Sequence, residues 1–297
     1  DADTGSTLNQ SSTGILLDDA ITIETVTSGN LTLIGRSGDT GSGFDGIDAS
    51  SANTTTLRSA GNLTLQGYSY AASGSGRGVD LNNDVIAASG TVSMSGQHNT
   101  GATYAISLSG STSITAGTGV TLESLNDNTG TIALLSSGGI DGGSGTVLMR
   151  AANYAFGGAD RTITTTGVLT IEPDADENSF ASSFDNQYLN PVSVTGLTLG
   201  KNGNNSNIIL QRAININGPI TVYAGSIHQY SNIVSSSSSG SVILSGPLVL
   251  EADDLVISSG SGGVSFSSSI DSDNSSSLRS LSVTSVSYTH LTLPTTG

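Results

Sequence analysis

The residues best placed to do chemistry lie in Gly41-Ser42-Gly43-Phe44-Asp45-Gly46-Ile47, with Asp39 just before and Asp48 just after. This stretch matches the core of a calcium-binding nonapeptide motif, in which hard oxygens from adjacent turns surround the ion. Asp39, Asp45 and Asp48 are therefore the candidate calcium ligands. Only one copy is present. The equivalent stretch Gly74-Ser75-Gly76-Arg77-Gly78-Val79 has Arg77 and Gly78 where further carboxylates would help. A turn with solvated aspartates accounts for the same residues and is the favoured reading. No other cofactor is expected.

Sugar chemistry is the second possibility. A hydrolase needs two carboxylates facing each other across the bond, and a lyase needs a base with a metal or cation beside it. Glu24, Asp80, Asp141, Asp160, Asp253 and Asp254 are scattered, as are Arg36, Arg58, Arg77, Arg150, Arg161, Arg212 and Arg279. His98, His228 and His290 are isolated and read as polar surface residues. No catalytic residue is assigned, and the chain is expected not to be an enzyme. Carboxylates brought together from neighbouring coils would overturn that.

These side chains must be positioned by what repeats. Gly-x-apolar-x-apolar occurs at Gly29-Asn30-Leu31-Thr32-Leu33 and Gly61-Asn62-Leu63-Thr64-Leu65, and again from Gly90, Gly130, Gly145, Gly167, Gly218, Gly240 and Gly246, nine copies in all. Alternation this short, bordered by Gly, Ser and Asn, predicts a strand with one apolar face. Successive copies 32 and 29 residues apart (29 to 61 to 90) are too close for globular domains and suit the turns of a stacked solenoid. The pattern points Leu31, Leu33, Leu63, Leu65, Val92 and Met94 inward and Thr32, Thr64 and Ser93 outward. Gly43 to Ile47, Gly78 to Leu81 and Tyr104 to Leu108 predict a second strand in each coil.

The expected organisation is coils over 1–172, an irregular or short helical insertion over 173–190, coils again over 191–286, and a non-native tail over 287–297. The insertion rests on Pro173 and on Phe180, Phe184 and Tyr188, which recur at steps of four. Asn30-Leu31-Thr32, Asn53-Thr54-Thr55, Asn62-Leu63-Thr64 and Asn274-Ser275-Ser276 fit the glycosylation pattern by chance, and Asn30 and Asn62 read as turn residues.

Composition agrees. Of 297 residues only 11% are charged and 4% aromatic, with 39 Gly, no Cys and no Trp. A mean hydropathy of +0.04 with regular alternation argues for order, despite the abundance of Ser and Thr. Eight Lys and Arg against 24 Asp and Glu exclude nucleic acid as a partner and disfavour anionic membranes. No apolar run reaches the roughly 20 residues of a membrane span, so no membrane insertion is expected. With no Met at position 1, the chain reads as a processed product or a fragment.

Ser28-Gly29-Asn30-Leu31-Thr32-Leu33, Gly196-Leu197-Thr198-Leu199-Gly200-Lys201-Asn202-Gly203-Asn204 and Gly218-Pro219-Ile220-Thr221-Val222-Tyr223-Ala224-Gly225 resemble the degenerate repeats of filamentous haemagglutinin-like exoproteins of Gram-negative bacteria. The resemblance runs from about Leu16 to Val283. It implies an all-β, elongated, right-handed parallel β-helix at the cell surface or outside the cell. An outer-membrane secretion partner would export it. A host or bacterial cell-surface receptor or glycan would be bound by other parts of the full protein. The expected function is a shaft that spaces a distal binding tip for adhesion or biofilm, with a carbohydrate-active β-helix as the alternative. Ser287-Tyr288-Thr289-His290-Leu291-Thr292-Leu293-Pro294-Thr295 resembles translated sequencing-adapter read-through. Leu293-Pro294-Thr295-Thr296-Gly297 also fits a sortase signal, which would make the protein a wall-anchored or surface-layer one instead.

Overall fold

The computed structural model describes residues 12–38, 43–50, 53–71, 73–99, 104–126, 129–135, 138–273 and 279–285. Every strand pairing is parallel, and no helix occurs among the described residues. The chain is an all-β parallel β-helix. Each coil contributes three strands, one to each of three faces, and a ten-stranded sheet runs from Leu31–Arg36 through to Gly263–Phe266. In the N-terminal part the other faces are a six-stranded and a seven-stranded sheet; beyond them, a five-stranded and a four-stranded sheet take over.

Alternation decides what each face buries. In the ten-stranded sheet Leu31, Leu63, Val92, Val120, Val147, Leu169, Leu197, Ile220, Val242 and Val264 form one inward column. Leu33, Leu65, Met94, Leu122, Met149, Ile171, Leu199, Val222, Leu244 and Phe266 form the other. All but two of these twenty residues are buried; Leu33 and Phe266, on the first and last strands, are half-covered and pack against the core. Thr32, Thr64 and Ser93 point outward as the pattern predicts. Removing this apolar surface from water, at about 25 cal/mol per Å², is the main stabilising force, and no coil obtains it alone.

The nine sequence copies do not all lie on this sheet. Those at Gly130 and Gly246 supply Thr131–Leu134 and Leu248–Leu250, which belong to the six- and five-stranded sheets. The crowding of copies past Leu122 thus reflects strands on two faces. Coils also shorten, from 32 residues between Leu31 and Leu63 to 22 between Val242 and Val264.

Two devices hold the corners. Asparagine side chains stitch one coil to the next: Asn30 Oδ1 accepts the Asn62 N–H at 2.8 Å, and Asn62 Oδ1 the Thr91 N–H at 2.9 Å. Glycines bring backbones together. A Cβ on Gly35, Gly67 or Gly96 would stand 2.0, 1.9 or 2.0 Å from the carbonyl oxygen of Gly46, Gly78 or Ala105. The excursions between these points, of which 37–38, 43–45, 69–71, 73–77 and 98–99 are described, are therefore set off by a pinch that only glycine fits on its first side. The excursions stack on one another, with Ser37 N–H donating to Tyr68 O at 2.9 Å and Ser69 N–H to Gln97 O at 2.8 Å.

Of the irregular or short helical insertion expected over 173–190, the helical form is absent, and 173–183 is irregular. Phe184–Asp185 and Leu189–Val192 are strands, and Phe180 and Phe184 are buried against Tyr154 and Phe156, with ring centroids 5.6 to 6.0 Å apart. The aromatic spacing serves a seam where the six-stranded sheet gives way to the five-stranded one.

Candidate functional site

Asp45 closes the first excursion, just before the Gly46 pinch, and Asp48 follows on the strand Ile47–Ala49. Parallel register places Asp48 beside Asp80, and Asp80 beside Ser107 of the third coil. One oxygen from each of Asp45, Asp48 and Asp80 lies within 4.8 Å of the others. Of the candidate ligands, Asp45 and Asp48 are thus brought together; Asp39 lies outside the described residues. Asp80, read from sequence as scattered, completes the group.

Arg77 sits on this cluster. Its backbone N–H donates to Asp45 Oδ1 at 2.5 Å, its guanidinium pairs with Asp80 Oδ2, and it also lies 5.7 Å from the Tyr104 ring centroid. Burial pushes the Asp45 carboxyl up to about 7, with repulsion from Asp80 and Asp48 adding to it against the Arg77 hydrogen bond. Asp80 is also raised, by burial, although Arg77 opposes the shift.

A second polar group runs along the inside of a corner. Extending the strand registers by one or two residues aligns Thr55, Asp84, Thr112, Gly138 and Arg161 on successive coils. Asp84 is fully buried and accepts the Thr55 and Asn82 N–H groups, each at 2.8 Å. Burial raises its carboxyl to about 6. Arg161, fully buried as well, donates to the carbonyls of Gly138 at 2.6 Å, Leu108 at 3.2 Å and Thr112 at 3.3 Å. Sequence reading placed Arg161 among dispersed cations. Its phase was the signal, since Arg161 and Ile163 alternate onto the same inward face.

These raised carboxyls set a pH dependence. The unfolded chain protonates its aspartates near the ordinary value of 3.8, whereas the folded chain takes up protons at about 7 on Asp45 and about 6 on Asp84. Between those limits the native state binds more protons, so stability falls as pH rises from 4 to 7 and is flat above. In metal-free buffer the melting temperature at pH 5 is expected to exceed that at pH 7.5. Equal or reversed values would show that these carboxylates are not desolvated.

The histidines divide. His98 is buried, contrary to the surface expectation, with Nδ1 2.5 Å from Asn99 O. It lies where Asn126 of the next coil clasps its backbone at 2.7 and 2.9 Å, so stacked excursions cover it. His228 is half-covered; Nδ1 lies 2.6 Å from Glu251 Oε1 and Nε2 3.4 Å from Ser226 Oγ. The hydroxyl contact is at the outer limit of a hydrogen bond, which gives a buttressed histidine rather than an activated serine. His290 lies outside the described residues.

Four of the other carboxylates serve turns and ion pairs. Asp141 accepts the Gly143 N–H at 2.9 Å, Asp160 pairs with Arg212 at 2.5 Å, Asp253 with Arg279 at 3.4 Å, and Asp254 bonds the Ser280 hydroxyl at 2.8 Å. Glu123, Arg150 and Glu172 form a cross-coil ladder, with Arg150 2.6 Å from Glu172 and 3.7 Å from Glu123. Asp253 and Asp273, from successive coils, likewise share Arg279, so among the described residues an arginine contacts the carboxylates at each of these three convergences. No family model, curated protein or solved structure matches the chain.

Proposed function

We propose that the chain is a shaft segment of a secreted or surface-exposed bacterial adhesin, a rod that sets the distance between the cell and a distal binding tip. The observation that supports this most is the unbroken ten-stranded sheet, which keeps one register through the change of the other two faces. Ten strands at about 4.8 Å give roughly 45 Å of rise. The outward column Thr32, Thr64, Ser93, Thr121, Leu148, Thr170, Thr198, Thr221, Ile243 and Ser265 is mostly small hydroxyl side chains. Such a face suits spacing better than recognition. Export to the outside and a receptor or glycan held by other parts of the protein belong to the same proposal.

Deleting one whole coil tests it. Residues 63–91 join equivalent positions, because Leu63 and Val92 are register partners. In the producing bacterium the deletion is expected to leave surface display and adhesion intact and to shorten the projecting stalk by about 5 Å per coil. Lost adhesion with normal display would show that these coils themselves make the contact.

A further inference from the structure

The oxygen inventory around Asp80 leaves four atoms without a role. Asp45 spends Oδ1 on the Arg77 N–H at 2.5 Å, Asp48 spends Oδ1 on the Ser50 N–H and hydroxyl at 2.8 and 2.5 Å, and Asp80 spends Oδ2 on the Arg77 guanidinium. The other oxygen of each carboxylate accepts no hydrogen bond among the described residues. Asp80 Oδ1 is buried there with no partner, an arrangement that costs free energy unless something else supplies positive charge. Ser107 Oγ, also fully buried, stands next to Asp80 in register and has no hydrogen-bond partner of good geometry.

The geometry points to a divalent cation site for calcium, formed by Asp45, Asp48, Asp80 and Ser107 from three successive coils. With all three carboxylates ionised, they and the one guanidinium carry two net negative charges, which one divalent ion neutralises. One oxygen from each of the three carboxylates lies within 4.8 Å of the others, close enough to share an ion whose oxygen ligands stand about 2.3–2.6 Å away. Ligands fixed by strand register rather than by a dedicated loop favour calcium, whose coordination is irregular, over magnesium, which demands a near-ideal octahedron. Arg77 holds the far side of Asp80 and weakens the site without filling it. The cation would tie coils together where the excursions meet the six-stranded sheet. This inference rests on the cluster alone and stands apart from the adhesin reading.

Thermal unfolding and calorimetric titration of the whole chain test it. After treatment with a chelator, calcium chloride at about 10 mM is expected to raise the melting temperature by about 3 °C or more, as for the weaker extracellular calcium modules. Asp80→Asn and Asp48→Asn, which keep volume and remove charge, are expected to abolish the shift, and Arg77→Gln to tighten binding about tenfold. No shift with calcium, an equal shift with magnesium, or a shift retained in Asp80→Asn would each overturn the site. Asp48 is half-exposed, so its variant keeps the test open should Asp80→Asn fail to fold.

Discussion

Replacing Arg161 with alanine is expected to destabilise the coils around it by about 3–5 kcal/mol. The guanidinium is fully buried and has no carboxylate partner among the described residues; burial lowers its pKa to about 10, and its attachment is to carbonyls of two preceding coils. Swapping a buried charge and its partners together for apolar groups is often neutral, because desolvation is relieved on both sides. Here the partners are backbone oxygens and stay behind. The variant also leaves a cavity the size of a long side chain. Because a solenoid's stability is a sum of neighbouring coils, the loss is local first. Hydrogen exchange should accelerate over residues 104–116, 138–141 and 161–164 before global unfolding. Arg212→Ala, which removes only the pair with a half-exposed Asp160, should change stability by less than about 1 kcal/mol. Equal effects of the two substitutions would mean that Arg161 is not the clamp its contacts describe.

Leu65→Asp is expected to be at least as severe, at about 4 kcal/mol or more. Leu65 is fully buried between Leu33 and Met94, and no cation lies in that apolar column. An aspartate there either ionises unpaired or stays protonated, and both forms forfeit the packing of the leucine. Thr64→Asp, one residue away and outward-facing, should cost less than about 1 kcal/mol. Chemical denaturation of the pair measures this. A common midpoint would place the strand in the opposite register, since a slip of one residue exchanges the two faces.

The inward columns were legible because alternation with period two leaves few choices: Leu31 and Leu33, Leu63 and Leu65, and Val92 and Met94 each announce a buried face. The third strand of each coil was not. In Thr56–Ser59, Val85–Ala88 and Ser113–Ala116 the second inward residue is Ser59, Ala88 or Ala116, small enough to vanish among the turns. Phe180 and Phe184 misled because two rings four residues apart can share a helix face or, as here, meet across a seam. The carboxylate cluster was half visible. Comparing the two glycine-rich stretches found Arg77 and Gly78 where carboxylates would help and ended at Val79, one residue short of Asp80. Its partnership with Asp48 is a register fact that only the stacked strands supply. Arg161 was hidden by its type, since a charged residue in phase with Ile163 is discounted as a core position.

The glycine pinch separates two things that most folds entangle. Where Gly35 meets Gly46, Gly67 meets Gly78 and Gly96 meets Ala105, the path of the rod is closed by backbone contact before the excursion begins. The pitch of the rod is thus set at these contacts, and the residues described beyond them, among them Ser37, Asp45, Ser69 and Arg77, are left to stack the coils and to gather the carboxylate cluster. A side chain at Gly35, Gly67 or Gly96 would meet a carbonyl oxygen at once, so those three positions carry the tightest demand on the shaft.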